Sequence, residues 1–114
     1  MALAEKKCDA CISATRPLTR AEFESMFAEL HGWSVMNDHH LIKTIKTKNF
    51  KRALEFANKI GALAEEEGHH PDLLVRWGEL KVELWTHKVD GLTEADFVLA
   101  AKIDLLDTKQ SPQA

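Results

Sequence analysis

Apolar residues recur along this chain with two different periods. Phe23, Met26, Phe27 and Leu30 fall three or four apart, which predicts a helix. Thr19-Arg20-Ala21-Glu22 is its capping box and Gly32 its stop. From Trp33 the period shortens. Trp33 to Met36 predicts a short strand, Asn37-Asp38 a turn, and His39 to Thr47 a second strand, the pair forming a hairpin. Leu41 and Ile45 share one face of that second strand, Ile42 and Thr44 the other. Helical spacing returns after Asn49, a capping residue, with Phe50, Ala53, Leu54, Ala57, Ile60 and Ala64 on one stripe. Gly61 interrupts this stripe at a cost of about 1 kcal/mol relative to Ala, which suggests close packing there. The helix ends near Gly68, since Pro71 forbids simple continuation.

Leu73 to Trp77 and Leu80 to Thr86 predict a third and a fourth strand around Gly78-Glu79. Leu80, Val82, Leu84 and Thr86 lie on one face of the fourth, and Lys81, Glu83, Trp85 and His87 on the other. Thr93-Glu94-Ala95-Asp96 is a second capping-box pattern, opening a helix from about Glu94 to Leu106. That helix is apolar over much of its surface, which predicts burial on more than one side and suggests a subunit interface. The order α-β-β-α-β-β-α predicts an α+β fold: a four-stranded antiparallel sheet with helices packed on one face. Residues 1–17 read as a flexible leader, 18–106 as one domain and 107–114 as a flexible polar tail.

Composition sets limits. A chain of 114 residues suits one domain with a modest core. The net charge of -3, with no Lys/Arg block, gives no electrostatic basis for nucleic-acid binding. No run is long and apolar enough to cross a bilayer or to serve as a secretion signal, so a cytoplasmic address is the default expectation. Cys8 and Cys11 form a CxxC pair, half of a structural zinc site, but no strand precedes them as a redox motif requires. They are expected to carry no essential role.

The chemistry concentrates in Glu65-Glu66-Glu67-Gly68-His69-His70-Pro71, with His87 seventeen residues after His70. Imidazole is the side chain most readily used as acid and base near neutral pH. Glu65 and His69 stand four apart, so on a continuous helix the carboxylate orients the His69 ring. Pro71 holds His70 toward an extended backbone, and His87 closes a strand where a loop begins. Asp96 is accounted for by capping, and can also hydrogen-bond a nearby imidazole. Core packing accounts for Trp77 and Trp85. Trp85 also shares the face of His87, where it offers a flat wall. His39-His40 looks like the other pair but sits at a hairpin turn with no glutamate at the right spacing. A zinc site needs three or four converging ligands, and the chain has no HxxxH or HxH pair, so metal-free proton transfer is the stronger reading.

In ordered combination these residues resemble the pterin-4a-carbinolamine dehydratases. The resemblance rests on Pro17-Leu18-Thr19, His69-His70-Pro71-Asp72, Trp85-Thr86-His87, Gly91-Leu92-Thr93, Asp96-Phe97 and Ala100-Ala101-Lys102-Ile103-Asp104, and spans about residues 17 to 106. It implies a homodimer or homotetramer with no metal and no organic cofactor. His69, His70 and His87 fall on the family's catalytic histidines, and Glu65 and Asp96 on acidic positions around the same pocket. The implied reaction is dehydration of 4a-hydroxytetrahydrobiopterin, or a related 4a-hydroxytetrahydropterin, to quinonoid dihydropterin. That would recycle the pterin of an aromatic amino acid hydroxylase. In this reading His70 and His87 act as acid and base, His69 assists with its tautomer set by Glu65, Asp96 orients His87 or binds the pterin, and Trp85 lines the ring. The competing expectation is a protein-binding or dimerisation module without useful turnover, built on the apolar last helix.

Overall fold

The computed structural model describes residues 3–5 and 16–110, with side chains described through residue 106. Cys8 and Cys11 lie outside the described residues. Three helices and four strands follow the expected order: α1 (Arg20–Phe27), β1 (Ser34–Met36), β2 (His40–Lys46), α2 (Phe50–Glu67), β3 (Asp72–Arg76), β4 (Glu79–Leu84) and α3 (Glu94–Gln110). The strands form one antiparallel sheet in the order β1-β2-β4-β3, and the helices cover one face. Register sets that face. Leu41 pairs with Leu84, Lys43 with Val82 and Ile45 with Leu80, so alternate residues of β2 and β4 point together into the core. Ile42, Thr44, Lys81 and Glu83 stand on the uncovered face.

Local chemistry accounts for the helix ends. Thr19 and Glu22 make the reciprocal capping box of α1. Asn49 accepts from the Arg52 amide at the start of α2, and Gly68 closes that helix in the left-handed conformation at φ 70°. The α2 stripe is rotated from its expected position. Phe56 is fully buried, whereas Phe50 and Leu54 are largely exposed, because Ala53, Phe56, Ala57, Ile60 and Ala64 form the inward row. Gly61 is not needed for close packing, since an added Cβ would meet nothing within 4 Å. Trp77 is not a core residue. It sits in the β3–β4 turn and is 74% exposed.

The last helix runs to Gln110, four residues beyond the expected end at Leu106. Its apolar character has a source within the chain. Ala95, Phe97, Val98, Leu99, Ala100 and Ile103 are all buried, and Phe97 stacks on Phe23 of α1 at 5.3 Å. The first residues contribute as well. Leu3–Glu5, inside the expected leader, form a single 3-10 turn packed on α3, with Leu3 buried and Lys102 Nζ donating to the Ala4 carbonyl at 2.8 Å. Asp104 anchors the far side of α3. It accepts from Lys43 Nζ and Trp33 Nε1, each at 2.8 Å, and from the His31 amide at 2.9 Å. No helix among the described residues is long and apolar enough to cross a membrane.

Candidate active site

Two chain segments meet beside the end of β4. One is Gly68-His69-His70, leaving α2; the other is Trp85-Thr86-His87, leaving β4. Together they line a cavity of about 210 Å³. Gly68 makes the first segment possible, since its left-handed backbone turns the chain off the helix axis. A short bridge shapes the second. Thr86 N donates to Gly91 O at 2.8 Å, which ties off the turn that carries His87. Pro17 lies against that bridge so closely that a Cβ on Gly91 would come within 2.5 Å of Pro17 Cβ. Leu18 N donates to Leu92 O at 2.8 Å and pins the start of the domain there.

Below the cavity lies Asp96, fully buried. Its Oδ1 accepts from His69 Nε2 at 2.6 Å. Its Oδ2 accepts from the Thr93 amide at 2.9 Å and from the Thr86 hydroxyl at 2.8 Å. Thr86 and Thr93 are joined by a hydroxyl–hydroxyl bond of 2.9 Å. One carboxylate thus caps α3, fastens the end of β4 and fixes an imidazole. Burying such a charge demands this full set of donors. His69 Nε2 is committed to Asp96, and no described residue is hydrogen-bonded to its Nδ1, which in the uncharged ring carries a lone pair.

The acidic partners therefore differ from those expected. Glu65 bonds His70, not His69, with Oε2 at 2.8 Å from Nε2. The helical four-residue spacing does not reach His69, because α2 stops at Glu67. Asp96 orients His69, not His87. His69 is buried, while His70 and His87 are exposed at the cavity. Trp85 stands beside His87 with ring centroids 4.4 Å apart, which puts an indole on the cavity wall. Among the described residues no cluster of three or more His, Cys, Asp or Glu is arranged to hold a metal ion.

One group escaped the sequence reading. His39 and His40, set aside as a turn pair, lie against Trp85 at centroid distances of 5.5 and 5.8 Å. The signal lay in the strand register. Leu41 opposite Leu84 places His40 opposite Trp85 on the uncovered face.

A family model described as pterin 4 alpha carbinolamine dehydratase matches residues 16–106. The chain belongs to the pterin carbinolamine dehydratase family. A protein from Alkaliphilus metalliredigens that carries the dehydratase's name is 56% identical over 103 residues, covering 90% of this chain and 93% of that one. The mitochondrial pterin-4-alpha-carbinolamine dehydratase 2 of Arabidopsis thaliana is 40% identical over 112 residues, covering 94% of this chain and 60% of its own length. Among solved structures, a transcriptional coactivator/pterin dehydratase from Brucella melitensis superposes with a TM-score of 0.74 at 28% identity. It covers 81% of this chain and 99% of that one. A pterin dehydratase-like protein described as a RuBisCO assembly factor in the alpha-carboxysome gives 0.57 at 25% identity, over 68% of this chain and 94% of that one. The dehydratase family match takes in every residue of the cavity and of the Asp96 network.

Proposed function

We propose that this chain dehydrates a 4a-hydroxytetrahydropterin, such as 4a-hydroxytetrahydrobiopterin, to the quinonoid dihydropterin by histidine acid/base chemistry without a metal. The supporting observation is the shared cavity of His69, His70 and His87, with His69 anchored on a buried carboxylate. The reaction breaks the C4a–O bond and forms a C4a–N5 double bond. A base takes the N5 proton, its electron pair closes the double bond, and an acid protonates the departing hydroxyl as water. His70 and His87, exposed at the cavity, are assigned to these two transfers. His69 assists: Asp96 fixes its tautomer, and its Nδ1 lone pair accepts a hydrogen bond from the substrate. Trp85 supplies a flat wall for the heterocycle. Such placed proton transfer contributes about 10²–10⁴-fold in rate.

A substrate of this kind arises when a pterin-dependent aromatic amino acid hydroxylase turns over, so the enzyme's proposed place is immediately after such a hydroxylase. A homodimer or homotetramer is part of the same proposal, supported by the exposed Phe50 and Leu54 of α2 and by Leu74 on the edge strand β3. The reading of the chain as a binding module loses part of its support, because most of the apolar surface of α3 is buried within the subunit, with Leu105 left exposed. The experiment is a dehydration assay on purified protein with His70→Ala and His87→Ala. Each variant is expected to lose about 10²-fold or more in kcat with its fold intact. Full activity in both would remove the assignment.

A further inference from the structure

The Asp90–His39–His40 chain lies outside the proton-transfer set, yet it is built onto the wall of the same cavity. Asp90 Oδ1 accepts from His39 Nε2 at 2.8 Å, and His39 Nδ1 lies 3.1 Å from His40 Nδ1. With an uncharged His39 whose Nε2–H is given to Asp90, its Nδ1 accepts from His40 Nδ1–H. The two rings stand edge to face, 5.4 Å apart, and both lie against Trp85. The chain also joins two tight turns. Asn37, Asp38 and Asp90 are the non-glycine residues with positive φ among those described, and they lie in the β1–β2 turn and in the turn after His87. Asn and Asp are the residue types that tolerate this conformation best. Arg20 further fixes the first turn through Asp38 at 2.6 Å.

We propose that His39 and His40 are positioning residues of the pterin pocket: braced by Asp90, they hold the Trp85 indole against His87 as the wall on which the substrate ring lies. This inference rests on the pterin reading of the cavity for its ligand, but not for its geometry. The indole follows directly on β4, lies across the β2–β4 register from His40, and is partly buried. The two imidazoles are aromatic neighbours of the indole at 5.5 and 5.8 Å, as His87 is at 4.4 Å. Their effect belongs to binding, because neither ring lines the cavity.

The test uses the full chain and three readouts: steady-state dehydration kinetics, calorimetric affinity for 7,8-dihydrobiopterin, and the nuclear Overhauser contact between the Trp85 indole and the His87 ring. For His40→Ala, KM and the dihydrobiopterin Kd should rise about 5-fold while kcat changes by less than about twofold, with the Trp85–His87 contact weakened. His40→Phe, which keeps a flat ring, should restore most of the affinity. Adding His40→Ala to Trp85→Ala should raise KM no further, since both changes remove one wall. An unaltered Trp85–His87 contact in folded His40→Ala overturns the inference, whatever the turnover. So does a full additive loss in the double variant. If wild-type protein neither turns over nor binds a pterin while the Overhauser contact behaves as expected, the bracing stands and the pterin reading falls.

Discussion

Asp96 and His69 share a hydrogen bond of 2.6 Å in which the carboxylate is wholly buried and the imidazole nearly so. They are 27 residues apart, and the bond joins the start of α3 to the exit of α2. It makes the capping residue of one helix the anchor of a pocket histidine.

Replacing Asp96 separates its two tasks. Asp96→Ala strands the Thr93 amide and His69 Nε2, leaves the Thr86 hydroxyl with Thr93 alone, and should cost about 3 kcal/mol or more, read as a loss of Tm. Asp96→Asn keeps an acceptor for the cap but no longer enforces the Nε2–H tautomer. It should lower kcat at least about 10-fold in protein that remains folded. A fall in Tm with kcat/KM untouched would confine Asp96 to capping.

Gly91 should resist even the smallest enlargement. A Cβ there would meet Pro17 Cβ at 2.5 Å, beneath the bridge that ties off the His87 turn. Gly91→Ala is expected to destabilise by about 1–3 kcal/mol, as overpacking does, and thermal unfolding measures it directly.

The opposite holds at Gly61. It lies inside α2 with open space where a methyl would go. Gly61→Ala should stabilise by up to about 1 kcal/mol and raise Tm by several degrees. An unchanged or lower Tm would mean that the position is occupied in solution.

Glu22 provides a pH signature away from the site. Hydrogen bonds from Arg16, and after them the Thr19 amide, hold its carboxyl down to about 2, from an ordinary value of 4.5. A depressed folded-state value means that the pair stabilises above the ordinary carboxylate range and that this contribution fades as pH falls toward about 2. Arg16→Ala should move the Glu22 titration upward by NMR while the Thr19 bond keeps it below the ordinary value. Identical titration curves would discount the pair.

Much of this was legible in the chain, for reasons that can be named. The Thr19 and Asn49 caps are local motifs, and the alternation in β2 and β4 is a direct record of one buried face. What local pattern could not carry was partnership across elements. The spacing of Glu65 and His69 implied a helical pair, but Gly68 ends the helix between them, and the glutamate meets His70 instead. The stripe of α2 was displaced by the choice between Phe50 and Phe56, which only packing decides. Trp77 looked like core by its size, yet the tight turn at Gly78 leaves it in solvent. His39 and His40 were dismissed because their partners, Trp85 and Asp90, arrive through strand register and a distant turn.

The most direct measurement is single-turnover dehydration of a 4a-hydroxytetrahydropterin by dialysed, chelator-treated wild-type protein, run beside His87→Ala. Wild type should accelerate loss of the 4a-hydroxyl undiminished by the chelator, and His87→Ala should be slower by about 10²-fold or more. Activity abolished by the chelator and restored by zinc, or equal rates in the two proteins, would contradict catalysis by the three pocket histidines.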